Sequence, residues 1–338
     1  MCNNMTQKTN NSQLEWLASL RGLAALLVFL SHLFIVPVSR SFLFVLGRIG
    51  VVCFFFITGY LAIPSRIKRT RKQYLLNRFI RLYPVYWLLL LLMFFINKDA
   101  YTFTQLAANF TEFQEFLGFK NIIGASWMLP IQVIFLGFML IFDAKFFINE
   151  NSTNEVIKRG IYLTINCSLL ALFTAVLRYF TGKPFPTAIF LLNGISIIGI
   201  YFWYLQAELT KLKFLFIIYE VGLFIAVPLS YPNRVLEYIS AYNIGIIVFI
   251  VFAKFIKGNS KVAFLFKRLG EIGFTFFLGA DIVYILYFRY FSPINSNADI
   301  IAASVIKFMG AVLLGIIVTN FIEKPLQKWG KKVEKELT

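Results

Sequence analysis

Long apolar stretches dominate the chain, and short polar segments separate them. Ten stretches have the roughly 20 residues that a helix needs to cross ~30 Å of hydrocarbon. They lie at residues 14–36, 44–63, 78–97, 126–143, 160–178, 186–206, 212–230, 240–257, 270–291 and 300–322. Strands of an outer-membrane barrel would alternate apolar and polar residues, whereas residues 88–95 are apolar throughout. The pattern predicts an all-α, polytopic membrane protein of about ten transmembrane helices.

The overall composition supports a membrane protein. Of the 338 residues, 59% are hydrophobic and only 14% are charged. A soluble protein carries about 25% charged residues, because its surface has to be covered by polar groups. The composition therefore argues against a soluble enzyme. It also argues against a nucleic-acid partner, although the formal net charge is +17.

The distribution of lysine and arginine predicts the orientation in the membrane. These residues accumulate in cytoplasmic loops. The loops on the side of the N-terminus carry 21 of them, and the opposite loops carry 8. Both termini are therefore predicted to be cytoplasmic, which is consistent with an even number of spans. The expected organisation is a polar N-terminus (1–13), a single transmembrane domain (14–323) and a basic tail (324–338).

Three cysteines, Cys2, Cys53 and Cys167, are far apart in the sequence. Their spacing matches neither a disulfide framework nor a metal-binding motif. We expect no metal site and no bound cofactor.

The longest loop on the predicted outer side, about residues 98–124, contains five phenylalanines. Such a loop can lie against the membrane surface or cover a cavity. An ordinary connection between two spans explains it equally well.

Ionisable residues inside a bilayer are costly and mark functional sites. The predicted spans contain Arg21, Arg78, Arg81 and Lys307, together with His32, the only histidine in the chain. Arg21 and His32 are eleven residues apart, so they share one helix face and are separated by about 16 Å along the axis. A lone histidine can be a packed, hydrogen-bonded side chain. The shared face with an arginine favours a general base, because imidazole exchanges protons near neutral pH.

Arg78 and Arg81 form an i, i+3 pair on the face of another predicted helix. One interpretation is an anchor at the membrane edge, where Tyr83, Tyr86 and Trp87 would form an aromatic belt. The other is a clamp for a phosphorylated ligand, because guanidinium groups bind phosphate through two parallel hydrogen bonds. The pair alone does not decide between them.

Six segments carry motifs: LASLRGLAALLVFLSHL, GRIGVVCFFFITGYLA, RFIRLYPVYW, SWMLPIQVIF, LGEIGFTFFLG and NFIEKPLQKW. Together they resemble acyltransferase family 3, integral membrane enzymes that transfer acyl groups, usually acetyl, to sugars. The first segment resembles the family's LRGLAALLVVLFH opening, and the third resembles its RxxRIxPxYW motif. The resemblance extends from about residue 14 to residue 330.

The resemblance implies a set of site residues. It assigns catalysis to His32 and Arg21. Binding of the acyl donor falls to Arg78, Arg81, Arg69 and Tyr83, next to the basic loop that follows the second span. Supporting positions are Gly59, Tyr60, Trp127, Gln132 and Glu323.

Three positions depart from the family pattern. Gln132 replaces a glutamate, Ala280 (beside Asp281) replaces a late histidine, and Ala18 replaces an acidic residue. Since glutamine cannot act as a base, His32 remains the only obvious one.

The resemblance implies a multi-pass O-acyltransferase of the bacterial cytoplasmic (inner) membrane. It would use acetyl-CoA or another acyl-CoA as donor. The acceptor would be a sugar or glycolipid, such as a surface polysaccharide or lipopolysaccharide. Two alternatives are a transporter or flippase of a glycan or lipid precursor, and an inactive relative retained as a scaffold. The first would show paired halves with broken helices, and no internal repeat is visible in the sequence.

Overall fold

The computed structural model describes residues 11–33, 39–148, 152–205, 209–256, 261–290 and 296–337. Within these ranges the chain is helical and contains no strand. The all-α prediction is therefore confirmed.

The α-helices of the described residues follow in chain order. They are α1 (Asn11–Ser31), α2 (Arg40–Ile67), α3 (Arg71–Ile96), α4 (Phe103–Phe110), α5 (Leu129–Ile141), α6 (Ala144–Phe147), α7 (Thr153–Thr181), α8 (Thr187–Tyr204), α9 (Lys213–Ser230), α10 (Val235–Phe255), α11 (Lys261–Tyr290), α12 (Asn297–Val318) and α13 (Lys324–Glu336). A 3₁₀ turn, Gly124–Met128, precedes α5, and a π-helical turn, Thr319–Glu323, joins α12 to α13.

Nine helical segments in the described ranges are long and apolar enough to cross a membrane. They coincide with the second to tenth predicted spans. The first predicted span corresponds to α1, a helix of 21 residues that carries Glu15 and Arg21 and lies outside this set. The chain is a polytopic membrane protein, and the two counts differ by α1 alone. The predicted orientation of the termini stays a prediction, and most of the predicted N-terminal segment (1–13) lies outside the described residues.

The chain forms two compact units. Within the described residues, the first unit comprises residues 51–71 and 131–251, and the second comprises residues 11–50, 72–130 and 252–337. The domain prediction of 14–323 spans both.

In the first unit, α2 and α8 approach each other closely. A Cβ atom at Gly59 would lie 1.8 Å from the carbonyl oxygen of Ser196, so only glycine fits there. The Ser196 hydroxyl donates a hydrogen bond to Phe55 O at 3.0 Å. Small residues and hydrogen bonds from hydroxyl groups are typical of helix contacts inside membranes, where apolar burial alone does not drive association.

In the second unit, α1 packs on α11 through two glycines. A Cβ at Gly22 would lie 1.9 Å from Phe266 O, and one at Gly270 would lie 1.9 Å from Ala18 O. The two backbones are therefore in direct contact. This contact fixes the position of α1, which carries Arg21 and ends directly before His32.

The connection between α3 and the 3₁₀ turn, residues 97–123, folds back along α3. The Tyr86 hydroxyl donates to Asn109 O at 2.8 Å, and Trp87 Nε1 donates to Phe110 O at 3.0 Å. Tyr86 lies ten residues before Ile96, the end of α3, which corresponds to about 15 Å along the axis. We call residues 97–123 the re-entrant loop.

Candidate functional site

The end of α1 fixes the orientation of the His32 ring. The helix ends at Ser31, and the His32 backbone N–H donates to Phe29 O instead of Val28 O. His32 Nδ1 lies 2.9 Å from Val28 O. Since a carbonyl oxygen only accepts, this contact requires the proton on Nδ1. In the neutral ring, Nε2 then carries the lone pair, and within the described residues Nε2 makes no hydrogen bond.

A buried ion pair holds the same end of α1. The side chain of Lys307 on α12 is 3% exposed. Its Nζ donates to His32 O at 3.0 Å and pairs with Asp281 Oδ1 on α11 at 3.3 Å. Nζ also lies 4.9 Å from the centre of the Tyr284 ring. The backbone of the predicted base is therefore anchored to two neighbouring helices.

Replacing Asp281 and replacing Lys307 should reduce the stability of the protein by different amounts. The Asp281 side chain is 21% exposed, whereas Lys307 is almost fully buried. Asp281→Leu leaves a buried ammonium unpaired and is expected to cost about 3–5 kcal/mol of stability. Lys307→Met should cost less, since it leaves a carboxylate that reaches solvent.

The measurement is the thermal unfolding midpoint of the purified protein in detergent. Adding Lys307→Met to Asp281→Leu should recover part of the loss, because the double variant contains no unpaired charge. Strictly additive losses would contradict a direct pair.

A second cluster surrounds Arg21, about 16 Å along α1 from His32. The charges of Arg78 and Glu323 act on Arg21, and the charge of Arg81 acts on Glu323. The Arg78 guanidinium lies 5.2 Å from the centre of the Tyr74 ring, and its buried Nε has no hydrogen-bond partner among the described residues. Arg21 and Arg81 thus act on one carboxylate, and Arg78 adds a third positive charge beside Arg21. This excess of positive charge can hold an anionic ligand.

The carboxylate of this cluster belongs to the π-helical turn. Glu323 accepts hydrogen bonds from Thr319 Oγ1 at 3.3 Å and from Gln327 Nε2 at 3.0 Å. Single π turns inside α-helices are frequent at functional sites. A groove beside the turn is lined by Asn77, Ile80, Arg81, Gln327, Gly330 and Lys331.

Two further predicted residues of the second unit lie among aromatic rings. Tyr83 stacks on Phe79 at a centroid distance of 5.0 Å and meets Trp87 edge-on at 5.4 Å. The Trp127 ring centre lies 4.8 Å from Cζ of Arg48, a cation–π contact. Tyr83 is close to the arginine pair in sequence, but its ring packs in an aromatic row.

The other predicted residues lie in the first unit. Arg69 donates through Nη1 to Ser65 O at 3.2 Å. Gly59 and Tyr60 are buried in helix packing, and Gln132 is half-buried in the first turn of α5. Helix packing therefore explains the presence of Gly59 and Tyr60 in their sequence motif. The roles predicted for Arg69 and Gln132 stay predictions.

Sequence comparison places these features in a family. The model of the acyltransferase domain of family 3 matches residues 14–320, which is most of the chain. The chain belongs to acyltransferase family 3. Searches of curated proteins and of solved structures each return no match. The protein is a membrane acyltransferase, and the resemblance in its motifs is confirmed.

Three residues of this acyltransferase were not among the predicted site residues. Lys307 was visible in the sequence as a basic residue inside a span, and Asp281 as the neighbour of Ala280. Their pairing was not visible, because it joins residues 26 positions apart on two helices. Glu112 gave no signal, since it lies in a polar loop. Among the residues that the structure describes, no group of histidines, cysteines and carboxylates could hold a metal ion.

Proposed function

We propose that this acyltransferase transfers an acetyl group from acetyl-CoA to a hydroxyl of a cell-surface polysaccharide, lipopolysaccharide or related glycoconjugate. His32 acts as the general base. The observation that carries the proposal is the orientation of the His32 ring. Its Nδ1 is held against Val28 O, which leaves Nε2 available to accept a proton.

The reaction needs no bound cofactor or metal. Nε2 of His32 takes the proton of the acceptor hydroxyl while the oxygen attacks the thioester carbonyl carbon. The C–S bond then breaks, and the CoA thiolate leaves. The imidazolium returns the proton to the sulfur, so that the products are the O-acetyl ester and CoA with a free thiol. This direct route requires no second base.

The Arg21 cluster supports acyl-CoA as the donor. Arg21, Arg78 and Arg81 exceed the charge of Glu323 and would bind the phosphates of CoA. The flexible pantetheine arm separates these phosphates from the thioester. In the same way, α1 separates the Arg21 cluster from His32. With the N-terminus in the cytoplasm, the phosphates would bind at the cytoplasmic side of a bacterial inner membrane, and acetyl transfer would occur nearer the outer side.

The test is mass spectrometry of surface glycans from cells that express the wild type, no protein or His32→Ala. Wild-type cells should carry a mass increment of one acetyl group, and both other strains should lack it, with His32→Ala present in the membrane at the wild-type level. The variant should fold, because the contacts of His32 Nδ1 are with Val28 and Ser31, in the last turn of α1.

Each result has a distinct meaning. Unchanged acetylation in His32→Ala would exclude His32 as the base. Glycans that keep their decoration but disappear from the surface on deletion would favour the transporter or flippase alternative.

A further inference from the structure

Glu112 occupies an unusual position at the tip of the re-entrant loop. It directly follows the segment Asn109–Thr111, which lies against α3 through the bonds of Tyr86 and Trp87. Its φ of 63° is in the left-handed region, and no other described residue except glycine has a positive φ. A non-glycine side chain is sterically disfavoured there, and residues in such conformations cluster at functional sites.

The carboxyl group of Glu112 is buried without a partner. The residue is 1% exposed, and neither carboxyl oxygen has a hydrogen-bond partner within the described residues. Burial raises the pKa of Glu112 to about 8. The group is therefore a carboxylic acid at neutral pH, able both to donate and to accept a hydrogen bond. Buried polar groups in proteins are almost always paired, and an unpaired one can be completed by a ligand.

Two phenol groups of α3, those of Tyr83 and Tyr86, are within electrostatic reach of Glu112. The Tyr86 hydroxyl is already bound to Asn109 O. In the described part of the chain the Tyr83 hydroxyl has no hydrogen bond, and its half-buried ring continues the aromatic row with Trp87. An aromatic surface beside hydrogen-bonding groups suits a sugar, whose C–H face packs on rings while its hydroxyls bind polar groups.

A chain of contacts connects Glu112 with the His32 end of α1. Gln114, two residues after Glu112, donates through Nε2 to Ser126 Oγ at 3.4 Å, and Ser126 belongs to the 3₁₀ turn Gly124–Met128. Gly124 of this turn faces Asp281, where a Cβ would lie 3.3 Å from Oδ2. Asp281 binds Lys307, whose Nζ donates to His32 O. All of these residues belong to the second unit.

We propose that Glu112 and the Tyr83 hydroxyl form a subsite that binds a hydroxyl group of the sugar acceptor. The subsite rests on the proposed function. It predicts an acceptor with a free hydroxyl group beside an apolar face of its sugar. The acceptor would lie against the re-entrant loop, and the donor would bind at the Arg21 cluster. Tyr83 would then bind the acceptor, in place of the donor-binding role that the resemblance implied for it.

The experiment compares Glu112→Gln, Glu112→Gly and Tyr83→Phe with the wild type. Glycine relieves the left-handed backbone, so Glu112→Gly should fold even if the amide variant does not. Glu115→Gln, an exposed glutamate three residues further along, is the matched control. Two quantities are measured: acetylation of surface glycans by mass spectrometry, and the shift in the unfolding midpoint that acetyl-CoA causes in the purified full-length protein.

We expect Glu112→Gly and Tyr83→Phe to lose acetylation by about tenfold or more, since each removes a hydrogen bond to the acceptor. Glu112→Gln keeps a donor and an acceptor at this position and should lose less. The acetyl-CoA shift of all three variants should equal that of the wild type, and Glu115→Gln should be normal in both measurements. Wild-type acetylation in both Glu112 variants would overturn the subsite and leave the proposed function standing. Loss of the acetyl-CoA shift would also overturn it, because Glu112 would then act on the donor. A wild type without acetylation would refute the proposed function itself.

Discussion

Arg21→Gln is expected to weaken acetyl-CoA binding by about 10²–10³-fold, which corresponds to about 3–4 kcal/mol. Arg21 is the arginine of the cluster that lies on α1, and the charges of Arg78 and Glu323 both act on it. Without it, Arg78 and Arg81 remain with Glu323, and the positive excess of the cluster falls by half. The fold should survive, because the substitution also removes repulsion between Arg21 and Arg78.

The measurement is calorimetric titration of the purified protein with acetyl-CoA. Arg21→Lys should fall between the wild type and Arg21→Gln, since it keeps the charge and loses the planar fork. Arg268→Gln is the control: this arginine is exposed and pairs only with Glu271 on the same helix, at 3.6 Å. Equal affinities in the wild type and Arg21→Gln would show that the Arg21 cluster does not bind the donor.

Gly22→Val is expected to prevent folding. A Cβ at this position meets Phe266 O at 1.9 Å and Gly270 N at 2.7 Å, both backbone atoms that cannot rotate away. Helices α1 and α11 would have to separate, which would displace the packing around Phe29 and Phe276, whose rings stack at 4.8 Å. The loss should exceed about 4 kcal/mol, in the range of the most damaging substitutions.

Size-exclusion chromatography of the detergent-solubilised protein measures this effect. Gly22→Val should elute as aggregate or be absent from the membrane fraction. Gly137→Ala is the matched control, because the space around a Cβ at Gly137 is open to 4 Å. A monodisperse Gly22→Val protein with a wild-type unfolding midpoint would show that α1 and α11 do not meet at these glycines.

The helical stretches were predictable because lipid forces each span to satisfy its backbone hydrogen bonds internally. Spans two to ten each coincide with a helix, although α3 begins seven residues before the predicted start at residue 78. Residues 71–77, which include the polar Arg71, Lys72, Gln73 and Asn77, extend that helix, and a search for apolar stretches does not detect them. The basic residues of the spans were also visible, because charge in an apolar stretch stands out.

Three relations in the candidate site were not predictable. The pair of Lys307 with Asp281 joins two helices. Glu323 faces Arg21 across more than 300 residues of sequence. Glu112 is buried because its loop folds back on α3, and a polar loop carries no periodic signal of burial.

The sequence by itself determined the class of protein, its helices, its family and the candidate residues Arg21 and His32. These depend on local properties, namely hydropathy, helix periodicity and short motifs. Only the tertiary structure decided which charges neutralise one another and which carboxyl group, among the described residues, is left without a partner. Those features depend on contacts between distant segments, and they are fixed by backbone approaches such as that of Gly22 to Phe266, which no local pattern specifies.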